Sequence, residues 1–233
     1  MDKYIEVVDT IHGWFVWKHI CPLLELVNNI QKEGNILEIG VHNGKSFIPM
    51  LTLLRDNEIA VAVDVFEDQQ FNYDNSGCGS SIMLMNNIKK VYSEDEIFDK
   101  IKIIKNDSTK MNSDNYLNYT NGGKYRIISI DGCHTKSATL IDLKNAIKIL
   151  SDDGIIILDD YLNHVWPGVK FGIDTFMEEN NNYRLVYLYA NKFIICHKEN
   201  YTKYINILGN LEGNTAKKYE ENCWKGEVFK KKN

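Results

Sequence analysis

Short hydrophobic runs of strand length alternate along the chain with longer segments whose hydrophobic residues recur at helical spacing. The short runs predict five β-strands, at Asn35 to Ile39, Ile59 to Asp64, Ile101 to Lys105, Tyr125 to Asp131 and Gly154 to Asp159. The longer segments predict helices at Ser46 to Leu54, Ser80 to Val91 and Thr135 to Leu150. This alternation is typical of a parallel sheet with crossover helices.

The pattern changes near residue 184, where two β-rich runs lie close together. Leu185 to Tyr189 and Phe193 to His197 are joined by Ala190-Asn191-Lys192, which is the length of a hairpin connection. We therefore expect an α/β, Rossmann-like fold. Its central sheet should be mostly parallel and seven-stranded, should end in an antiparallel hairpin, and should carry helices on both faces.

The chain length suits one buried α/β core and is too short for two of ordinary size. We predict a single domain over residues 1–233, with an N-terminal helical cap at 1–33, a Rossmann-like core at 34–198 and a C-terminal extension at 199–233. The extension has a helical pattern around Tyr201 to Leu208. The polar, glycine-containing segment Phe66 to Gly79 predicts either a loop over the site or a disordered lid.

Net charge, hydrophobic stretches and cysteine content indicate which partners and which cellular environment to expect. The net charge of -5 argues against nucleic acid, because binding a phosphate backbone needs a basic surface. No hydrophobic stretch reaches the length of a membrane span and no signal peptide is recognisable, so we expect a cytoplasmic protein that does not bind membranes. The five cysteines are isolated and odd in number, which predicts reduced thiols. Assembly into a homo-oligomer is left open.

The strongest local motif is a strand that runs into a Gly40-x-x-x-Gly44 turn and then a helix. Glycine permits positive φ and close approach of a ligand, while the N–H groups at the helix start suit a ligand carboxylate. Ser46 is a further donor there, and Glu38 is an acceptor for an ammonium group. A phosphate-binding P-loop is disfavoured because it needs four residues between its glycines. A purely structural turn remains the alternative.

Two later strand ends extend this motif. Asp64 ends the second strand about twenty residues after the turn, where Rossmann-type sites use a carboxylate to bind ribose hydroxyls. Asn106-Asp107-Ser108 follow the third strand, at a position that would meet an adenine edge. In this order, and at one edge of a sheet, these groups describe a site for an adenosine joined to an amino acid.

Leu37 to Ser46 resembles motif I of class I S-adenosylmethionine-dependent O-methyltransferases, both the catechol type and the macrocin-type sugar O-methyltransferases. The likeness extends from about Gly34 to Met177. It implies S-adenosylmethionine as the methyl donor. It also implies which residues bind this cofactor. The methionine part would be held by Glu38, Gly40, Gly44 and Ser46, the ribose by Asp64, and the adenine by Asp107 and Ser108, with Asp131 as a further cofactor-binding residue.

Three further acids, Asp131, Asp159 and Asp160, stand at the ends of the fourth and fifth strands. Carboxylates from adjacent strand ends suit Mg²⁺ or another hard divalent cation. Such a cation would bind a substrate oxygen and lower the pKa of its hydroxyl. The alternative is that these acids cap helices and satisfy loop amides. Catechol-type enzymes have Asn where Asp160 stands and macrocin-type enzymes have Asp, so the resemblance favours a sugar substrate.

His134 is the first candidate for general base, since imidazole accepts a proton near neutral pH, and Asp131 is the alternative. Catechol-type enzymes place a lysine where His134 stands. Cys133 is expected to be a packing or rim residue. For the acceptor, the run His12 to Trp17 is either an aromatic cover or a buried amphipathic helix, and His164, Trp166 and Lys170 lie within reach of the predicted site.

The sequence therefore predicts an S-adenosylmethionine-dependent O-methyltransferase, assisted by a divalent cation and acting on a hydroxyl of a sugar, a glycan or another small molecule. One alternative is a catechol or phenol O-methyltransferase with the same metal site. Another is a non-catalytic S-adenosylmethionine-binding protein. A hydroxylase related to the cephalosporin type is disfavoured because the histidines present no obvious facial triad for iron.

Overall fold

A computed structural model of the chain describes residues 2–15, 20–93, 97–189, 191–208, 214–221 and 224–231. Its strands are β1 (Asn35–Ile39), β2 (Ala60–Asp64), β3 (Ile101–Lys105), β4 (Tyr125–Ile130), β5 (Leu150–Leu158), β6 (Tyr183–Tyr189), β7 (Lys192–His197), β8 (Asn214–Glu221) and β9 (Trp224–Lys231). Its α-helices are α1 (Asp2–Thr10), α2 (Cys21–Asn28), α3 (Phe47–Leu51), α4 (Ser81–Lys89), α5 (Ser113–Asn118), α6 (Lys136–Ile149), α7 (Pro167–Glu179) and α8 (Tyr201–Leu208).

The strands form one sheet in the order β3-β2-β1-β4-β5-β7-β6-β9-β8. The pairs from β3 to β5 are parallel, whereas β7 is antiparallel to both β5 and β6. The predicted seven-stranded sheet with a terminal hairpin is therefore confirmed. The two strands after it, β8 and β9, are an addition that the sequence analysis did not predict.

Strand register brings the predicted site residues to one edge of this sheet. Ile39 pairs with Val63 on one side and with Ile130 on the other, and Ile130 pairs with Leu158. The chain therefore leaves β1, β2, β4 and β5 at nearly the same level. The order of connections reverses between β1 and β4, and such a switch point is where open α/β sheets bind their ligands.

Each face of the sheet is covered by helices, as predicted. Ile36 and Ala62 pack on one face in a hydrophobic cluster that includes residues of α1, α2, α3, α4 and α8. Leu37 and Val63 pack on the opposite face with residues of α5, α6 and α7. Neighbouring residues of one strand pack on opposite faces of the sheet because successive side chains along a strand point in opposite directions. No helix in the described ranges combines the length and the apolar character needed to cross a membrane.

A buried ion pair closes the other end of the sheet. The Arg126 guanidinium donates to both carboxylate oxygens of Glu58 at 2.8 and 2.7 Å, and also to Gln31 Oε1 at 3.2 Å. The Gln31 side-chain amide in turn donates to the Tyr204 hydroxyl at 3.1 Å. This network joins the region after α2 to β4 and α8, far from the carboxyl ends of the strands.

Candidate functional site

A cavity of about 700 Å³ opens at the carboxyl ends of β1, β2, β4 and β5. The predicted site residues that border it are Gly40, Asp64, Asp107, Ser108, Asp131, His134, Asp159 and Asp160. The cavity thus holds the predicted adenosine-binding groups and the predicted reactive groups in one continuous space. Its volume is in the range of small-molecule and cofactor sites.

The glycine turn has the backbone that the motif requires. Gly40 has φ +81°, and a Cβ added there would lie 1.8 Å from the carbonyl oxygen of Asp131. Gly44 has φ +89°, and its Cβ would meet Leu84 at 2.4 Å. The close approach at Gly44 is therefore to the protein's own α4. Of these two glycines, only Gly40 borders the cavity.

Glu38 and Ser46, which were also predicted to bind the methyl donor, are not among the described residues that line the cavity. Glu38 is completely buried and accepts a hydrogen bond from the Ser129 hydroxyl at 3.2 Å. Burial raises the pKa of Glu38 to about 8, so this carboxyl is mostly protonated at neutral pH. Ser46 precedes α3 and is likewise absent from the cavity wall. The structure does not bring Glu38, Gly44 and Ser46 onto the surface that a ligand would touch.

Asp64 borders the cavity and also holds the glycine turn in place. Its Oδ2 atom accepts hydrogen bonds from the backbone N–H groups of Val41 at 2.8 Å and His42 at 2.7 Å, and its Oδ1 accepts from that of Phe66 at 2.7 Å. A carboxylate can accept about four hydrogen bonds, which leaves capacity for a ligand hydroxyl. The same side chain thus shapes the turn and faces the ligand space.

The groups after β3 form a short 3₁₀ helix, Ser108–Lys110, capped by Asp107. Asp107 Oδ1 accepts from the Thr109 amide at 3.0 Å, and Oδ2 accepts from the Tyr73 hydroxyl at 3.2 Å. The Ser108 hydroxyl donates to Asp142 at 3.2 Å. Asp107 and Ser108 stay on the cavity wall with these bonds made.

The acids at the ends of β4 and β5 meet as expected, but they are not equivalent. Asp131 and Asp160 flank the His134 imidazole, whose Nε2 lies 3.8 Å from Asp131 Oδ1 and 3.1 Å from Asp160 Oδ2. Asp159 is bound instead by the ammonium group of Lys192. The three acids are therefore divided between two cationic partners.

His134 is held by carboxylates at both ring nitrogens. Its Nδ1 lies 2.8 Å from Asp74 Oδ2, and its ring stacks on Trp166 with centroids 4.5 Å apart. Burial favours the neutral ring, but hydrogen bonds to Asp131, Asp160 and Asp74 outweigh it and raise the pKa of His134 to about 11. The ring therefore carries both protons at neutral pH in this structure. It must lose one before it can act as the predicted general base.

Lys192 is the site residue that the sequence analysis missed most clearly. It begins β7 and is nearly buried, and it borders the cavity. Burial lowers the pKa of its ammonium group, but Asp159 and Asp131 raise it by a larger amount, so the group stays charged. The predicted hairpin could have indicated this residue. Once its second strand pairs with β5, the pairing of Phe193 with Leu158 brings Lys192 beside Asp159.

The candidate cation ligands differ from the predicted set. Ligand atoms of Asp131, His134 and Asp160 all lie within 4.8 Å of one another. Asp159, which the sequence analysis placed in a set with Asp131 and Asp160, is not in this group and is paired with Lys192 instead. Donation from the second ring nitrogen of His134 to Asp74 is the arrangement that metal-binding histidines usually have. The residues therefore fit a divalent cation, with an imidazole in place of the third carboxylate.

The predicted acceptor residues are only partly at the cavity. Trp14 is 75% exposed and packs against His42 with ring centroids 5.8 Å apart, and both Trp14 and Trp166 border the cavity. Lys170 forms an ion pair with Asp174 at 2.8 Å along α7. Among the described residues, His164 and Lys170 do not line the cavity. Cys133 lies on the wall as a rim residue, and Val16 and Trp17 of the predicted aromatic run lie outside the described ranges.

The fold is similar to that of several solved methyltransferases. An O-methyltransferase from Bacillus cereus in complex with SAH matches with a TM-score of 0.59 and 16% identity over 84% of this chain and 90% of its own. The O-methyltransferase NovP matches with 0.57 and 16% over 76% and 80%. CalS11, a TDP-rhamnose 3'-O-methyltransferase of calicheamicin biosynthesis, matches with 0.57 and 16% over 75% of each chain.

No sequence among curated proteins matches the chain significantly. A family model described as a methyltransferase domain matches residues 37–161, more than half of the chain. The matched range begins in β1 and ends just after the Asp159-Asp160 pair, so it contains the glycine turn and the carboxyl ends of β1, β2, β4 and β5. The chain therefore belongs to the methyltransferase-domain family and has the class I methyltransferase fold that the sequence predicted.

Proposed function

We propose that this protein transfers the methyl group of S-adenosylmethionine to a hydroxyl oxygen of a small-molecule acceptor. The observation that carries the proposal is the shared cavity, which has Asp64 and Asp107 at one part of its wall and the cluster of Asp131, His134 and Asp160 at another. The first pair suits the ribose and adenine of the donor. The cluster supplies the groups that an oxygen nucleophile needs.

Within this proposal, Gly40 lets the methionine part of the donor approach the backbone, and Asp64 Oδ1 accepts a hydrogen bond from one ribose hydroxyl. Gly44, Ser46 and Glu38 were predicted to hold the methionine part of the donor, and we now assign supporting roles to them. Gly44 allows α4 to pack under the turn, Ser46 precedes α3, and Glu38 fills the space beneath with a neutral carboxyl group.

His134 and Asp131 remain the two groups that can take the acceptor's proton. His134 is protonated in this structure, and the approach of a positively charged sulfonium would lower the pKa of the ring. Burial raises the pKa of Asp131, but hydrogen bonding to His134 and the charge of Lys192 outweigh it and lower that pKa overall. Without a bound cation, we assign proton removal to His134 Nε2 in the presence of the donor, with Asp131 holding the ring beside the reacting oxygen. A cation on Nε2 would occupy that lone pair and would leave proton removal to a carboxylate oxygen of Asp131.

Asp131, His134 and Asp160 would hold a divalent cation, which when bound would polarise the acceptor hydroxyl. Two carboxylates and one imidazole suit Mn²⁺, Fe²⁺ or Zn²⁺ better than a set of three carboxylates would, and they suit Mg²⁺ less well. Lys192 keeps Asp159 out of this set and supplies a fixed positive charge to the same wall.

A sugar hydroxyl is the proposed acceptor. Support comes from the Asp at position 160, from the indole rings of Trp14 and Trp166 on the cavity wall, and from the fold similarity to CalS11, whose name gives TDP-rhamnose as its substrate. Aromatic rings pack well against the apolar faces of sugars, but they also suit a phenol. The catechol-type alternative therefore has to be separated by experiment.

The test is a methyl-transfer assay with S-adenosylmethionine carrying a labelled methyl group, run against a panel of nucleotide-activated deoxysugars and a panel of catechols. The proposal expects label in an O-methyl ether of a sugar and a loss of turnover in His134→Gln. Label confined to catechols would replace the sugar acceptor with a phenol. Donor binding without transfer to any acceptor would favour a non-catalytic binding protein.

A further inference from the structure

Asp74 reaches the reactive cluster from the polar segment between β2 and α4. Its side chain is only 6% exposed, although the residue belongs to a surface segment. One oxygen atom, Oδ2, accepts hydrogen bonds from both the backbone N–H of His134 at 2.5 Å and the ring Nδ1 at 2.8 Å. A single carboxylate oxygen thus binds one residue at two points.

The segment is built to hold Asp74 in this position. The other carboxylate oxygen of Asp74 accepts from the Ser76 amide at 3.0 Å. Asn72 spans the segment by donating to the Gly77 carbonyl at 2.6 Å, and Tyr73 anchors it to Asp107 across the cavity. Local hydrogen bonds therefore hold Asp74 in place within the segment.

This contact decides which ring nitrogen of His134 is available. A neutral imidazole carries its proton on one nitrogen only, and the partner of the first nitrogen determines what the second can do. With Nδ1–H donated to Asp74, the lone pair of the neutral ring lies on Nε2. That atom faces Asp160 and Asp131, and the face of the ring stacks on the indole of Trp166.

We propose that Asp74 is a positioning residue for His134, which holds the ring with Nδ1 protonated and Nε2 directed into the reactive cluster. The catalytic benefit of this position rests on the proposed function, whereas the position itself is argued from the contacts described above. It holds whether Nε2 meets the acceptor hydroxyl or a divalent cation, because both need the same nitrogen. The arrangement follows the logic by which a buried carboxylate orients a catalytic histidine.

The direct test is the proton NMR spectrum of the His134 ring in protein labelled with ¹⁵N-histidine, which needs no acceptor. Signals are assigned by their loss in His134→Gln. The wild type should show a strongly downfield Nδ1 proton that exchanges slowly with water. Asp74→Asn should lose this signal or shift it far upfield. The matched control is Asp68→Asn, the same change in an exposed residue of the same segment that pairs with Lys105, and it should leave the signal in place.

The catalytic readout follows with the acceptor found in the methyl-transfer assay. Asp74→Asn should lower kcat by about 100-fold while the affinity for S-adenosylhomocysteine stays within about twofold of wild type. If Asp74→Asn does not fold, Asp74→Ser is measured instead, since serine can still accept from the Ser76 amide. An Nδ1 proton signal retained in the folded variant, or an unchanged kcat, overturns the proposal. Failure of the wild type to bind S-adenosylhomocysteine would contradict the proposed function and leave the NMR result to stand alone.

Discussion

Lys192, at the start of β7, donates a hydrogen bond from its ammonium group to the carboxylate of Asp159, at the end of β5, and both side chains are largely withdrawn from water. Because β5 and β7 are antiparallel neighbours, the sheet itself holds the pair together. Removing one partner of a buried pair leaves the other charge uncompensated.

Lys192→Met should therefore lower the free energy of unfolding by about 3 to 5 kcal/mol, measured by denaturation in urea. The double variant Lys192→Met with Asp159→Asn should recover part of that loss, since no unpaired charge remains. Lys198→Met, at an exposed lysine just beyond β7, serves as the control and should stay within about 0.5 kcal/mol of wild type. A double variant no more stable than Lys192→Met would contradict the pairing.

Gly40 and Gly122 offer a matched comparison of steric conflict, since their φ angles are +81° and +85°. An added Cβ at Gly40 meets the backbone of Asp131 at 1.8 Å, whereas at Gly122 it meets nothing within 4 Å. Gly122→Ala should lower the free energy of unfolding by about 1 to 2 kcal/mol, because only the left-handed backbone conformation disfavours a side chain there. Gly40→Ala should lower the free energy of unfolding by about 3 kcal/mol or more, because its Cβ also meets the backbone, and it should abolish binding of S-adenosylhomocysteine. Equal losses in the two variants would show that the turn does not approach Asp131 this closely.

Asp142 predicts a pH-dependent stability. Burial raises its pKa to about 7 from an ordinary value of 3.8. The folded state therefore binds the proton more tightly than the unfolded state, so stability falls as the pH rises from about 4 to about 7 and stays lower above it. Asn cannot ionise, so Asp142→Asn should raise the Tm by about 3 °C or more at pH 8 and by much less at pH 4.

The measurement for Asp142 is thermal denaturation of wild type and variant across that pH range. Asp152→Asn, at a side chain that is 98% exposed, should show no such trend. A difference in Tm between Asp142→Asn and wild type that does not depend on pH would mean that Asp142 is not a buried carboxyl of raised pKa.

The revised cation set makes Asp159 and Asp160 distinguishable although they are neighbours in sequence. Titration calorimetry with Mn²⁺ should show binding that Asp160→Asn weakens by about 10-fold or more, since Asp160 would be a ligand. Asp159→Asn should retain most of the affinity because Lys192 already occupies that carboxylate. Mg²⁺ should bind more weakly than Mn²⁺. Equal losses of Mn²⁺ affinity in the two variants would favour the set Asp131, Asp159 and Asp160 that the sequence predicted.

Much of the fold was predictable because its signals are local. Hydrophobic runs marked the first seven strands, and an acid or glycine at the ends of β1, β2, β4 and β5 marked the edge where the cavity lies. The strands β8 and β9 were missed because sequences such as Asn214–Glu221 are mostly polar and give no hydrophobic run. The complete burial of Glu38 was not apparent from its position beside the glycine turn, although it alternates with Leu37 and Ile39 and so lies on the opposite face of β1 from both of them.

The contacts that define the reactive cluster are not local, and for that reason they did not emerge from the sequence. Asp74 lies 60 residues before His134, and Lys192 lies 33 residues after Asp159. Neither pair has a spacing that a motif could reveal. Only the path of the loop over the cavity and the register of the hairpin bring these side chains together.

The most direct test of the central claim is calorimetric titration of the purified protein with S-adenosylhomocysteine. Asp64→Asn is measured beside it, with the fully exposed Asp56→Asn as the control for a lost negative charge. The account predicts micromolar binding by the wild type and by Asp56→Asn, and a loss of about 10-fold or more in Asp64→Asn. Folded wild-type protein that binds no S-adenosylhomocysteine would contradict the assignment of the cavity to a methyl donor.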